Sequence, residues 1–313
     1  MKSSRKIKTK TRRKIVKKSQ PKSFGLIFIV GVMVVMAFFG GYLYYRSYTN
    51  PNLHEEKQMT TIPKDVSRAL TTRANHRVIN EEYIRIPILM YHYVEYVQDK
   101  NDTTRIKLTT SPYTLKAQIE TLKSAGYTFI TPSDLANALD GKVLDFPQKP
   151  IILSFDDGYR DLYTDVFPIL QEENVKGVAY IIVNYLNRQN FLLSSQLEEL
   201  AKSPLLEIGA HTMNHVGLKG VKRNAAWNEI IESRKFLQKM LNLPIYSFAY
   251  PYGSFDQQAI DLVNAAGFTN AVSTIPGIKD TIDTKYYLYR LRPGGRTGIE
   301  LLTFLAQDKF KPW

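Results

Sequence analysis

Cysteine is absent from the 313 residues, which excludes disulfides, thiol nucleophiles and thiolate metal sites. A domain of this length can rely on its hydrophobic core alone, so the absence is compatible with the outside of a bacterial cell. Acidic residues are missing from positions 1 to 22, where eleven Lys or Arg stand. The formal net charge is +13, so everything after that run carries only +2. A nearly neutral body argues against a nucleic-acid partner. Charge of either sign is missing from Phe24 to Tyr45, an Ile, Val, Met, Phe and Gly run of 22 residues. As a helix it spans about 33 Å, enough for a hydrocarbon core roughly 30 Å thick. The run is too long for a usual signal peptide core and no small-x-small cleavage site closes it, so an uncleaved membrane helix is expected. Tyr42, Tyr44 and Tyr45 suit an interfacial belt, and the basic front puts the N-terminus in the cytoplasm and residues 46 onward outside.

Four segments follow from this pattern: a basic cytoplasmic tail (1–23), a transmembrane helix (24–45), a polar stalk broken by Pro51 and Pro63 (46–84), and a folded domain (85–313). There is no internal repeat. Within the domain, short apolar runs alternate with amphipathic stretches. Strands are expected at 88–91, 127–130, 151–155, 177–183, 205–210, 246–250, 268–273 and 286–291. Helices are expected to open at Ser111-Pro112, at Thr131-Pro132, near Asp161 with a bend at Pro168, at Ser194 or Ser195, and over 225–241, 256–266 and 298–307. This alternation is the signature of an α/β fold with a mostly parallel sheet, closed as a barrel or open.

Histidine is scarce, with five in the chain, and the three inside the domain are informative. His92, His211 and His215 each fall at or just after the C-terminal end of an expected strand, the edge where parallel α/β folds place their chemistry. The apolar run Ile151 to Phe155 ends at the same edge in Asp156, Asp157 and Gly158. A tight turn is the plain reading of Asp-Asp-Gly. His211 and His215 are four apart, which would set both imidazoles on one face of a helical turn. With a carboxylate from another strand they form a two-His, one-carboxylate metal site with open positions. One aspartate would bind the metal and the other would take a proton from water. Tyr250 and Tyr252, around Pro251, could wall a sugar groove, and a backbone N–H there could face an oxyanion.

Taken together, Ser-Phe-Asp-Asp-Gly (154–158), His-Thr-Met-Asn-His (211–215) and Ala-Tyr-Pro-Tyr-Gly (249–253) resemble the motifs of the polysaccharide deacetylases with a NodB homology domain, carbohydrate esterase family 4. The resemblance covers about residues 86 to 306. It implies a distorted (β/α)7-type barrel and metal-dependent hydrolysis of N-acetyl groups from an N-acetylglucosamine-containing polymer. Carried onto this sequence, it makes Asp156 the general base, Asp157, His211 and His215 the metal ligands, and the Tyr252 backbone N–H an oxyanion donor. Zn²⁺ is the expected metal, with Co²⁺, Ni²⁺ or Fe²⁺ as alternatives.

The chain departs from the family pattern twice. Ala249 stands where many members carry an arginine that orients the base, and Arg290 on the last expected strand is the candidate replacement. No histidine follows His215, so the acid that protonates the leaving amine falls to His92. A Tyr-His at the start of the domain also resembles the poly-N-acetylglucosamine deacetylases. The expectation is a monomeric, single-pass enzyme of the bacterial cell surface acting on a surface or wall glycan. The rivals are an O-acetyl esterase on the same fold and an inactive glycan-binding module.

Overall fold

Each apolar run bounded by turn residues forms a strand, and each stretch opened by a capping residue forms a helix. The computed structural model describes residues 83–143 and 145–312. The basic tail, the expected transmembrane helix and nearly all of the expected stalk lie outside the described residues. Among the described residues, no helix is long and apolar enough to cross a membrane. Ile84 is buried, and Ile84–Arg85 pairs antiparallel with Lys279–Asp280.

Seven parallel strands make the main sheet: β1 (Ile88–Tyr91), β3 (Pro150–Phe155), β4 (Gly177–Ile181), β5 (Leu206–Ala210), β6 (Ser247–Ala249), β7 (Asn270–Pro276) and β8 (Leu288–Arg290). The remaining strand, β2 (Thr128–Phe129), pairs with the first residues of β3. In spatial order the seven run β8-β7-β6-β5-β4-β3-β1, and every pairing is parallel. Beyond β8, Leu291 bridges Leu89 of β1, with Met90 N–H donating to Leu291 O and Leu291 N–H to Ile88 O, both at 2.8 Å. The sheet is therefore a nearly closed barrel, one of the two forms the alternation of strand and helix allowed and the one the family resemblance implied. β7 starts later and runs further than the expected strand, and β8 is shorter than its own.

Helices α1 (Pro112–Ser124) and α2 (Pro132–Leu139) start where expected, with the Ser111 and Thr131 side chains accepting from Thr114 and Asp134 N–H. The expected helix from Asp161 divides into a π turn (Leu162–Val166) and α3 (Phe167–Glu173), with Pro168 in the first turn of the second piece. Helix α4 (Ser194–Leu200) has Leu193, not a serine, at its cap position, where the Gln196 carbonyl takes the Leu193 N–H. α5 (Arg223–Leu241), α6 (Gln257–Ala265) and α7 (Gly298–Leu305) complete the outer layer.

Because side chains alternate across a strand, each strand feeds two cores. Ile88, Ile152, Val178, Tyr180, Ala249, Val272 and Leu288 fill the barrel, while Leu89, Tyr91, Leu153, Phe155, Ile181 and Phe248 face the helices. Gly209 is required beside Tyr180: a Cβ there would lie 2.6 Å from the Tyr180 ring and 2.9 Å from Ser247 O.

Candidate active site and metal centre

The strand periodicity that puts Leu288 inside the barrel also puts Arg290 there, fully buried at 0% exposure. Its guanidinium rises to Asp156 and grips both carboxylate oxygens, Nη1 to Oδ1 at 2.7 Å and Nη2 to Oδ2 at 2.8 Å. Nε donates to Ser273 O at 2.6 Å and Nη1 also to Ser154 Oγ at 3.2 Å, so four hydrogen bonds fix the fork. Burial, the largest single influence, pushes the Asp156 carboxyl up, but the charge and hydrogen bonds of Arg290 together with the nearby histidines outweigh it and hold the group below the ordinary carboxylate range.

Asp157 and Gly158 both adopt left-handed backbone, at φ 75° and 76°. The turn separates two adjacent carboxylates into different surroundings, and it needs glycine at its second position, where a Cβ would also lie 3.2 Å from Ile181. Asp157 Oδ1 is buried without a hydrogen-bond partner. It stands 3.3 Å from His211 Nε2 and 3.3 Å from His215 Nε2. One ligand atom from each of the three residues lies within 4.8 Å of the others.

His211 fixes its own tautomer. Nδ1 lies 2.7 Å from Ala249 O; a carbonyl only accepts, so Nδ1 carries the proton and Nε2 presents a lone pair toward Asp157. A buried carboxylate oxygen facing two imidazole nitrogens with no donor between them is a set of donor atoms suited to a cation. Burial pushes the His215 imidazole down to about 4. The residue pair converges by a different route from the helical turn expected for it. Residues 211–215 form a tight turn with left-handed backbone at Thr212 (φ 64°) and His215 (φ 60°), closed by His215 N–H donating to Thr212 Oγ1 at 2.9 Å.

His92 follows β1 and lies within electrostatic reach of Asp156, Asp157, Arg290 and Arg292. Burial outweighs the two carboxylates and holds its imidazole below the usual histidine value. Tyr252 stands out from the turn after β6, 71% exposed and in left-handed backbone (φ 59°), with its ring centroid 4.4 Å from that of His215. Tyr250 is a correction: it does not wall the groove. It is fully buried, stacked on Phe255 at 4.6 Å, with its hydroxyl donating to Tyr286 O at 2.9 Å.

The rim also carries aromatic residues that the sequence reading passed over. Tyr93 stacks on Tyr159 at 3.9 Å, Tyr159 meets Phe191 at 4.9 Å, and Phe191 meets Tyr185, whose ring is 6.3 Å from His215. Tyr93 adjoins His92 and Tyr159 adjoins Gly158, so adjacency to the motifs was the available signal.

Residues 144–271 match the family model described as polysaccharide deacetylase. A poly-β-1,6-N-acetyl-D-glucosamine N-deacetylase of Staphylococcus epidermidis is 24% identical over 260 residues, covering 79% of this chain and 84% of that protein. Among solved structures, the Streptococcus pyogenes deacetylase PplD in complex with acetate is 26% identical with a TM-score of 0.66, covering 72% of this chain and 100% of that one. A polysaccharide deacetylase from Bacillus cereus is 25% identical with a TM-score of 0.62, over 72% of this chain and 70% of that one. Residues 144–271 thus carry a polysaccharide deacetylase domain, the NodB homology class of carbohydrate esterase family 4, and the chain around them is similar to deacetylases.

Proposed function

We propose that the protein is a metal-dependent hydrolase that removes N-acetyl groups from N-acetylglucosamine residues of a cell-surface glycan, held to the membrane by its N-terminal apolar segment with the domain outside. The observation that carries this reading is the buried, unpartnered Asp157 Oδ1 between two imidazole nitrogens, one residue from a carboxylate fixed by a buried arginine. The staphylococcal relative, named for an N-acetylglucosamine polymer, supports the choice of sugar.

Asp157, His211 and His215 would hold the cation, and their oxygen and nitrogen donors suit Zn²⁺, with Co²⁺, Ni²⁺ or Fe²⁺ as alternatives. When bound, it supplies Lewis acidity to water and to the acetyl carbonyl. Asp156 takes a proton from the attacking water, and Arg290 keeps that carboxyl ionised and oriented. Arg290 thereby does the work of the arginine that Ala249 replaces. The Tyr252 backbone N–H donates to the oxyanion. His92 protonates the leaving amine. Acetate departs, and the freed glucosamine amine becomes a cation at neutral pH.

One observation favours O-acetyl ester hydrolysis as a second reading. Burial disfavours the protonated form of His92 that a leaving amine calls for, and an alcohol leaves with less help from an acid than an amine does. The two separate on a matched pair of substrates, N-acetylglucosamine oligomers and O-acetylated oligomers. Acetate released with an equal amount of new primary amine supports the proposal. Acetate from the O-acetyl substrate alone contradicts it.

A further inference from the structure

A cleft of about 800 Å³ opens where β8 ends. It begins at Leu291 and Arg292, directly after the arginine that grips Asp156, and follows one face of α7 to the C-terminal residues. Its lining includes four cations, Arg292, Arg296, Lys309 and Lys311, against one acid, Glu300. Glu300 neutralises little, since its side chain is mostly exposed and lies 3.8 Å from Arg296. Two aromatic rings floor the cleft: Phe304 and Phe310 meet edge to face at 5.4 Å, and the Arg296 guanidinium sits 4.5 Å over Phe304.

The walls are tied to the barrel. Buried Gln118 accepts from Tyr91 Oη at 2.8 Å and donates to Gly294 O and Arg296 O at 2.8 Å each, joining the near wall to the strand that delivers His92. Arg85 donates to Leu305 O, Gln307 O and the Asp308 carboxylate, which fixes the far wall where α7 gives way to the tail. Arg292 lies two residues beyond Arg290, whose guanidinium grips Asp156, so the cleft starts beside the strand end that holds the proposed base.

A polymer of N-acetylglucosamine alone is uncharged and offers these cations nothing. We infer that the cleft binds an anionic stretch of the glycan, bearing phosphate or carboxylate groups, next to the sugar being deacetylated. Phe304 and Phe310 present apolar faces to the sugar rings between those charges. The inference rests on the deacetylase reading above and narrows its substrate to an acidic surface polymer.

The test compares KM values of the metal-loaded full chain for three substrates: a neutral N-acetylglucosamine oligomer, the same oligomer carrying phosphate monoesters, and one carrying carboxylates. At low ionic strength the KM for an anionic oligomer should be about three- to tenfold below that for the neutral one, the scale of a few exposed ion pairs, and the advantage should fade in high salt. Comparison of the phosphate and carboxylate arms identifies which anion is preferred. Replacing both exposed lysines, Lys309→Gln with Lys311→Gln, should draw the anionic and neutral KM values together. Equal KM values in the unmodified protein at low salt, or a preference that survives the double replacement, overturns the inference. Failure to release acetate from any of the three substrates overturns the deacetylase reading instead.

Discussion

Arg290→Met removes the cation beneath the proposed base and leaves a side chain of similar reach. The native guanidinium makes four hydrogen bonds in full burial, two of them to Asp156. Breaking a buried pair by deleting one partner costs about 3–5 kcal/mol, because the other charge stays buried and uncompensated. The cost depends on pH in a definite direction. In the native protein the Asp156 pKa is depressed, so its stabilising contribution is present above the unfolded carboxyl value and is lost as pH falls. In the variant only burial and weaker neighbours remain, the pKa rises, and the ionised carboxyl opposes folding at neutral pH. The gap between variant and native protein should therefore be about 3–5 kcal/mol at pH 7 and smaller near pH 4.5, where the variant's Asp156 can take up a proton. Urea denaturation of chelator-treated protein at the two pH values measures both, and adding Asp156→Asn to the variant should recover part of the loss. Acetate release should fall by at least about a hundredfold, since the base is then protonated and unheld. A loss under about 1 kcal/mol at pH 7, the size of an ordinary exposed pair, or an equal loss at both pH values, refutes the account of this pair.

Asp156→Asn should abolish acetate release while the protein still binds one equivalent of metal, since the ligands are untouched; undiminished turnover removes Asp156 as the base. His92→Asn should lower kcat on N-acetyl substrates by at least about two orders of magnitude, the low end for a general acid, and retained kcat places the acid elsewhere. Asp280 predicts a pH effect on stability away from the site. Its carboxyl is fully buried with Oδ2 unpartnered, and burial pushes it up to about 7. The folded state thus keeps a proton that the unfolded state loses, and stability falls as pH rises from the unfolded carboxyl value through 7, by up to about 4 kcal/mol. Asp280→Asn should flatten that decline in denaturation midpoints, leaving the part that comes from Asp161, also pushed up to about 7 by burial. An unchanged slope contradicts the assignment.

The parallel sheet, and the gathering of Asp156, Asp157, His211 and His215 at one edge of it, were legible because both depend on local pattern. Ile151 to Phe155 reads as a buried strand from its composition, and an aspartate or histidine one residue past a strand end falls on the catalytic rim whatever the helices do. Backbone handedness at Thr212 and His215 was not legible, since nothing in His-Thr-Met-Asn-His separates a left-handed turn from a helical one until Asp157 and Ala249 O supply the tertiary contacts. Tyr250 was misplaced for a different reason. It stands two residues after buried Phe248, and the two rings meet at 5.3 Å on the helix-facing side of the barrel; the same two-residue spacing was available as a signal and pointed to the core under the helices. Arg290 could be suggested only as a complement to Ala249, because the contact joins residues 134 positions apart. The basic cleft was invisible, as it exists only once the tail returns and Phe310 meets Phe304.

The central claim is that Asp157, His211 and His215 hold a metal on which deacetylation depends. It is tested most directly by acetate release from an N-acetylglucosamine polymer before chelation, after chelation and after Zn²⁺ is restored. The account expects turnover to vanish with the chelator and return with the metal, one new amine appearing for each acetate. Turnover that is indifferent to the chelator would contradict it.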